Sequence, residues 1–183
     1  MFAIVQNGQV MLLVQAGTPF EWDGVQYAAN WCNLSTPEEK AAIGMVDVVY
    51  GTQPNQTYYW VSEDAPVYNA QTNQVDINFT ATPKDLTSVK TNAINQINAT
   101  AYSLLFPTDW MVVKATETST SVPPAWNSWR QSVRNTATNA VNSVEGAVDV
   151  NAVATAVSAI TWPPNPDQVA AEAAQAAEAT HGA

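Results

Sequence analysis

The sequence predicts an α+β fold. A small antiparallel β-rich N-terminal module comes first, then a helical hairpin region, then an Ala-rich C-terminal helix. Three observations carry that expectation. The turn dipeptides Asn7-Gly8 and Asp23-Gly24 each separate short apolar runs. The hydrophobic period changes from two to about 3.6 after Lys84. Charge divides the chain as well, because residues 1–83, 84–134 and 135–183 carry nets of -7, +2 and -5 within the total of -10. The expected parts are 1–83 (β-rich), 84–145 (helical hairpin) and 146–183 (Ala-rich and Pro-linked).

Taken in order, FAIVQ and QVMLLV flank Asn7-Gly8, a pair that supplies the two positive φ angles of a type I′ turn. Phe20-Glu21-Trp22 and Val25-Gln26-Tyr27 repeat the arrangement around Asp23-Gly24. Thr36-Pro37-Glu38-Glu39 has the residue order of a capping box with proline in the first turn, and Gly44 offers a stop about two turns later. Met45 to Tyr50 and Tyr58 to Ser62 read as strands around a polar loop. Val75 to Ala81 reads as a last strand, with apolar residues at alternate positions.

Leu86, Val89, Ala93, Ile94, Ile97, Ala101, Leu104 and Leu105 share one stripe, which predicts a helix ending at Phe106-Pro107. Thr108 or Asp109 is the expected cap of a second helix beginning at Trp110. Pro123-Pro124 then starts a third, from Ala125 to about Ser143, and makes an αα-hairpin. Asp149 to Ile160 has only a weak helical period. Trp162-Pro163-Pro164-Asn165-Pro166 reads as a rigid extended linker. Residues 167–180 favour helix by propensity but have almost no large apolar anchor, so they are expected to dock on a partner or fray.

Composition excludes several function classes. Only 12% of residues are charged and seven are tryptophan, which does not fit a disordered chain. One cysteine, Cys32, allows neither a disulfide framework nor a Cys-rich zinc module, and a buried structural thiol is its expected role. The acidic balance argues against binding nucleic acid through phosphates. No apolar run reaches the roughly 20 residues of a membrane span, and the first residues lack the basic region of a signal peptide.

The search for chemistry returns little. The single histidine, His181, lies on the Ala-rich tail, where nothing would orient it as a base or ligand. Glu63-Asp64 and Glu21/Asp23 read as strand and turn acids. Asp47, Asp76, Asp85 and Asp109 do not form a calcium loop. No phosphate-loop, dinucleotide or nucleophile-elbow motif occurs. No catalytic residue, cofactor or metal site is expected, and the reading is non-enzymatic.

The aromatics are what remains. Trp110, Trp126 and Trp129 fall together on the expected hairpin, Trp126 and Trp129 share a face, and Arg130 and Arg134 form an i, i+4 row beside them. Two readings stay open: these residues lock helix on helix as core, or they form a contact surface for another protein. Tyr58-Tyr59-Trp60 carries a similar ambiguity, since alternate strand residues face opposite sides.

Residues 108–134, TDWMVVKATETSTSVPPAWNSWRQSVR, resemble a segment recurring in tail-fibre-associated and tail assembly proteins of bacteriophages. The matching positions are Thr108, Asp109, Trp110, Val113, Lys114, Glu117, Thr118, Val122, Pro123, Trp126, Trp129, Arg130, Val133 and Arg134. The chain departs at Ser119, usually Gly, which suggests a different turn geometry, and at Trp129, where Tyr is commoner. Residues 1–60, with Asn7-Gly8 and Asp23-Gly24, resemble small β modules of phage tail genes more loosely.

The resemblance implies a bacteriophage virion structural protein of the tail or tail-fibre region, acting by protein–protein contacts and assembled in the host cytoplasm. The alternative it implies is a tail or tail-fibre assembly chaperone not retained in the particle. Expected partners are other tail or fibre proteins, with the chain itself a homo-oligomer or present in many copies. Neither nucleic acid nor membrane is expected as a partner.

Overall fold

The computed structural model describes the backbone of residues 1–181 and the side chains of residues 1–176. The fold is α+β: a β-rich N-terminal region is followed by helices. Two compact units divide the chain, Met1–Thr82 and Pro83–Ala183.

The first unit is built on a five-stranded sheet. Its strands are β1 (Phe2–Gln6), β2 (Gln9–Val14), β5 (Met45–Tyr50), β7 (Val67–Asn69) and β8 (Gln74–Ile77), in the order β2-β1-β5-β8-β7. Two-stranded ribbons pair β3 (Phe20–Trp22) with β4 (Val25–Tyr27), and β6 (Tyr59–Glu63) with β9 (Phe79–Pro83). Both expected turns form, with φ of 51° and 76° at Asn7-Gly8 and 49° and 73° at Asp23-Gly24.

The expectation of an antiparallel module is corrected in one pairing. β5 and β8 run parallel, Val48 opposite Val75 and Tyr50 opposite Ile77. The long connection between them, which carries β6 and β7, lets the chain re-enter the sheet in its original direction. The sheet curls into a half-barrel, and its edge strands β2 and β7 approach each other.

Alternation along the strands separates two apolar clusters. Ile4, Val14, Cys32 and Met45 are buried on one face, against Phe20, Trp22 and Trp31. Ala3, Val75 and Ile77 are buried on the other, with Val5, Val46 and Val48 packed around them. A register shift between Ile4 and Val5 re-aims β1 between the two.

Two short helices cover the first face, α1 (Trp31–Leu34) and α2 (Pro37–Ala42). The capping box of α2 forms: Thr36 Oγ1 accepts from Glu39 N–H, and the Glu39 carboxylate accepts from Thr36 N–H. Gly44 follows with φ of 70°, and its carbonyl accepts from Val5 N–H at 2.9 Å. A Cβ there would collide with the Val5 carbonyl oxygen. Gly44→Ala is therefore expected to cost about 2–3 kcal/mol through left-handed strain and overlap, read as a lowered urea midpoint for this unit.

Sequence periodicity missed α1 and β7, which are only four and three residues long. It also read 75–81 as one strand. The chain instead breaks at Asn78, where it leaves β5 and joins β6, with Asp64 N–H donating to Asn78 O and Thr80 Oγ1 to Asp64. Tyr58 is buried ahead of β6 while Trp60 is exposed on it, so the two do not share a strand face.

The second unit is helical. α3 (Leu86–Leu105), a 3-10 turn (Phe106–Thr108) and α4 (Asp109–Glu117) form one 32-residue helical run. α5 (Pro124–Gly146), α6 (Val150–Ser158) and α7 (Pro166–His181) follow. α3 ends at Leu105 and α4 starts at Asp109, close to the expected end at Phe106-Pro107 and start at Trp110, but the 3-10 turn joins the two into one helical run. Val89, Ala93, Ile97 and Ala101 of α3 are buried, as are Val133, Ala137, Ala140 and Val144 of α5. The spacing of the α5 set, four and three residues in turn, is a coiled-coil seam, and its alanines let the backbones approach. Lys90 Nζ donates to Glu145 O at 2.7 Å, placing the C-terminus of α5 beside the start of α3, so the pair is antiparallel.

Asp85 caps α3 by accepting from Ser88 N–H and Ser88 Oγ, both at 2.8 Å, and these bonds hold its carboxyl below the usual carboxylate range. A lowered pKa contributes stability above the ordinary range that is lost as pH falls through the folded value. The Ser88 amide is therefore expected to lose exchange protection on acidification, and Asp85→Asn to keep the cap while removing that pH dependence.

α6 brings Val150 and Val153 into the core, so the first part of the expected 146–183 extension packs with α5 and α3. Asn165 and Gln168 cap α7 reciprocally, each side chain accepting from the other's N–H. His181 lies outside the residues whose side chains are described.

Candidate protein-contact site

The 3-10 turn determines how the motif residues are used. Asp109 N–H turns back to Phe106 O, so the Leu105 carbonyl loses its regular i+4 donor. Two side chains replace it. Thr108 Oγ1 donates to Leu105 O at 2.7 Å, and Arg130 Nη1 donates to it at 3.0 Å. Arg130 Nη1 also reaches Thr108 Oγ1, and Nη2 meets Asp109 Oδ1 at 2.7 Å. Thr108 and Asp109 therefore do not cap the next helix with their side chains, the role the sequence assigned to one of them. They bind the arginine that fastens α5 to the turn.

Arg130 is only 4% exposed because it occupies a seam position of α5, one turn before Val133. The expectation of an Arg130/Arg134 row beside the tryptophans is corrected accordingly: Arg130 points inward, while Arg134 is exposed and outside this network. Trp129 is buried next to it. Its ring meets Trp126 edge-on at 5.5 Å, and its Nε1 donates to Pro163 O at 2.9 Å. Trp129 and Arg130 together tie α5 to both the α3–α4 run and the linker before α7.

The remaining tryptophans are outside. Trp110 is 57% exposed and Trp126 half-buried. With Met111, Lys114, Thr120 and Pro123 they line a groove of about 190 Å³ between α4 and the start of α5. Lys114 Nζ lies 5.9 Å from the Trp110 ring centroid. The loop closing the groove has Ser119 at φ of 53° and Thr120 N–H donating to Ala115 O, the left-handed stop that glycine favours. The side chain of Ser119 thus leaves the backbone in a form glycine would also take, and the different turn geometry is not needed to accommodate it.

Sequence reasoning missed the residues that extend this surface. Tyr102, Phe106, Trp110 and Val113 are spaced by four, four and three residues and are 63%, 60%, 57% and 55% exposed. The Tyr102 and Phe106 rings lie 5.4 Å apart. Their spacing was legible, but Pro107 was read as a helix end and divided the stripe.

The isolated acids have local partners: Gln26 donates to Glu21, Thr80 to Asp64, and Asn69 and Gln74 to Asp76, whose carboxyl they hold below its usual range. Among the described residues, no three of His, Cys, Asp and Glu cluster closely enough to hold a metal ion, and no helix is long and apolar enough to cross a membrane. Comparison with protein-family models, with curated proteins and with solved structures finds no match for this chain.

Proposed function

We propose that this chain is a non-enzymatic structural protein of a bacteriophage particle, in its tail or tail-fibre region, and that it works through protein–protein contacts. The observation that carries the contact role is the exposed stripe Tyr102, Phe106, Trp110 and Val113 on a helical run whose other side is locked down by Arg130. Three exposed aromatics spaced four residues apart along one helical run are unfavourable in water and suit a partner that covers them. The resemblance of residues 108–134 to phage tail-associated segments supports the setting. A largely uncharged Asn-, Gln- and Thr-rich surface suits lasting, wet contacts.

Genetics on the source phage tests this. Disrupting the gene is expected to give particles with absent or misassembled tails or fibres in electron micrographs, restored by the wild-type chain in trans. Structurally complete, fully infectious particles without the gene product would overturn the proposal.

A further inference from the structure

The groove between α4 and the start of α5 holds hydrogen-bond donors without partners. Trp110 is 57% exposed and Trp126 half-buried, and neither indole N–H makes a hydrogen bond among the described residues. Trp129, their neighbour, donates to Pro163 O at 2.9 Å. Lys114 Nζ stands 5.9 Å from the Trp110 ring centroid and forms no ion pair among the described residues. Glu117 lies three residues on without pairing with it, and Asp109 is held by Arg130. Where the loop closes the groove, Lys114 O already accepts from Thr118 and Ala115 O from Thr120. The groove is therefore apolar, rich in donors and short of free acceptors.

Those features select the conformation of an occupant. At about 190 Å³ the groove falls below the roughly 300–1,000 Å³ of a small-molecule pocket, so it suits part of a chain rather than a cofactor. A helix spends its backbone carbonyls along its own axis and would leave both indole donors against apolar side chains. An ordinary extended segment would bring amide N–H groups into a groove already supplied with donors. A polyproline segment has no internal hydrogen bonds, presents free carbonyls and carries no N–H at each proline. It also arrives preformed, which lowers the entropy lost on docking. The chain already contains this pairing once. Residues 162–166 run past α5 with Pro163 giving its carbonyl to the Trp129 indole, and Pro163, Pro164 and Pro166 line the groove beside that ring.

We propose that the groove between α4 and α5 binds a proline-rich segment of another protein in the polyproline form, its carbonyls accepting from the Trp110 and Trp126 indoles and an acidic side chain beside the prolines meeting Lys114. This rests on the contact-protein reading and names the chemistry of the partner. Charge supports the acid, since residues 84–134 are net +2 in a chain of -10.

The test titrates the purified, isotope-labelled full chain with a capped peptide of prolines ending in glutamate. Magnetic resonance follows the indole N–H signals, assigned with Trp110→Phe and Trp126→Phe. The Trp110 and Trp126 signals are expected to move together, with half-saturation at about 1 mM peptide, while the Trp129 signal stays. Trp110→Phe, at an exposed position, keeps a ring but loses the donor. It is expected to weaken binding about fivefold with the melting temperature unchanged. Lys114→Gln is expected to weaken it about threefold and to remove its salt dependence. Signals unmoved at several times that concentration overturn the inference, and so does equal binding of a peptide with alanine in place of proline. Movement of the Trp129 signal instead means that the peptide displaces residues 162–166 from α5, and overturns the site. The same shifts on concentrating the chain alone give the groove to residues 162–167 of a second copy and overturn its assignment to another protein. None of these results alters the outcome of the phage genetics, so a failed groove is distinguishable from a failed function.

Discussion

Trp129→Ala is expected to lower the stability of the helical unit by about 3–5 kcal/mol, the range for deleting a buried aromatic. Trp129 is 7% exposed, its ring meets Trp126, and its indole N–H donates to Pro163 O. For a unit of this size the loss corresponds to a fall in melting temperature of about 15–25 °C, readable by calorimetry as a shift in the helical transition. Trp129→Phe separates the two roles of the side chain. It keeps most of the packing but loses the bond to Pro163, at a cost of about 1 kcal/mol. Limited proteolysis is then expected to cut faster in residues 160–166 while the hairpin stays folded. An unchanged melting temperature in Trp129→Ala would mean that this tryptophan is not core.

The second large effect is Arg130→Leu, expected to cost about 2–4 kcal/mol. Removing one partner from a buried ionic network costs about 3–5 kcal/mol when both charges are desolvated. Here Asp109 is half exposed and can return to water, which lowers the range. The remaining cost falls on the Leu105 carbonyl, left with the Thr108 hydroxyl as its side-chain donor, and on a seam position filled by a smaller side chain. Arg130→Lys is expected to recover only part of the loss, because one ammonium group cannot reproduce the fork that spans Leu105, Thr108 and Asp109. Asp109→Asn is the milder change, at about 1 kcal/mol. Amide exchange is expected to rise at residues 105–109 in Arg130→Leu, since the 3-10 turn loses its external donor.

These two residues show what the sequence could and could not reveal. The hairpins at Asn7-Gly8 and Asp23-Gly24, the capping box at Thr36 and the stop at Gly44 were all legible because local chemistry decides them. So was the apolar face of α3. The parallel pairing of β5 with β8 was not, because it depends on a connection whose own strands are short and weakly patterned. Arg130 was left open between core and contact surface, because arginine serves in either; its position, three residues before Val133 and seven before Ala137, belongs to the buried seam. Thr108 and Asp109 resembled a helix cap, but the broken hydrogen-bond ladder at Pro107 redirected them to the arginine. The contact stripe was hidden by the same proline, since Tyr102 and Phe106 lie before it and Trp110 and Val113 after it.

The motif of residues 108–134 thus divides into two sets. Trp129 and Arg130 hold the helical unit together, while Trp110, with Tyr102 and Phe106 from the preceding helix, faces outward. Substitutions in the first set are expected to act through stability, and those in the second through assembly. A thermal-melt comparison is expected to show a clear fall for Arg130→Leu and little change for Phe106→Asp.

The proposed contact role in a phage particle is tested most directly by quantitative mass spectrometry of gradient-purified particles from the phage that encodes the chain. The chain is expected in fixed stoichiometry with tail or fibre subunits and to stay with them through a salt wash. Its absence from complete, infectious particles would contradict a structural role in the virion and leave the transient chaperone as the reading to pursue.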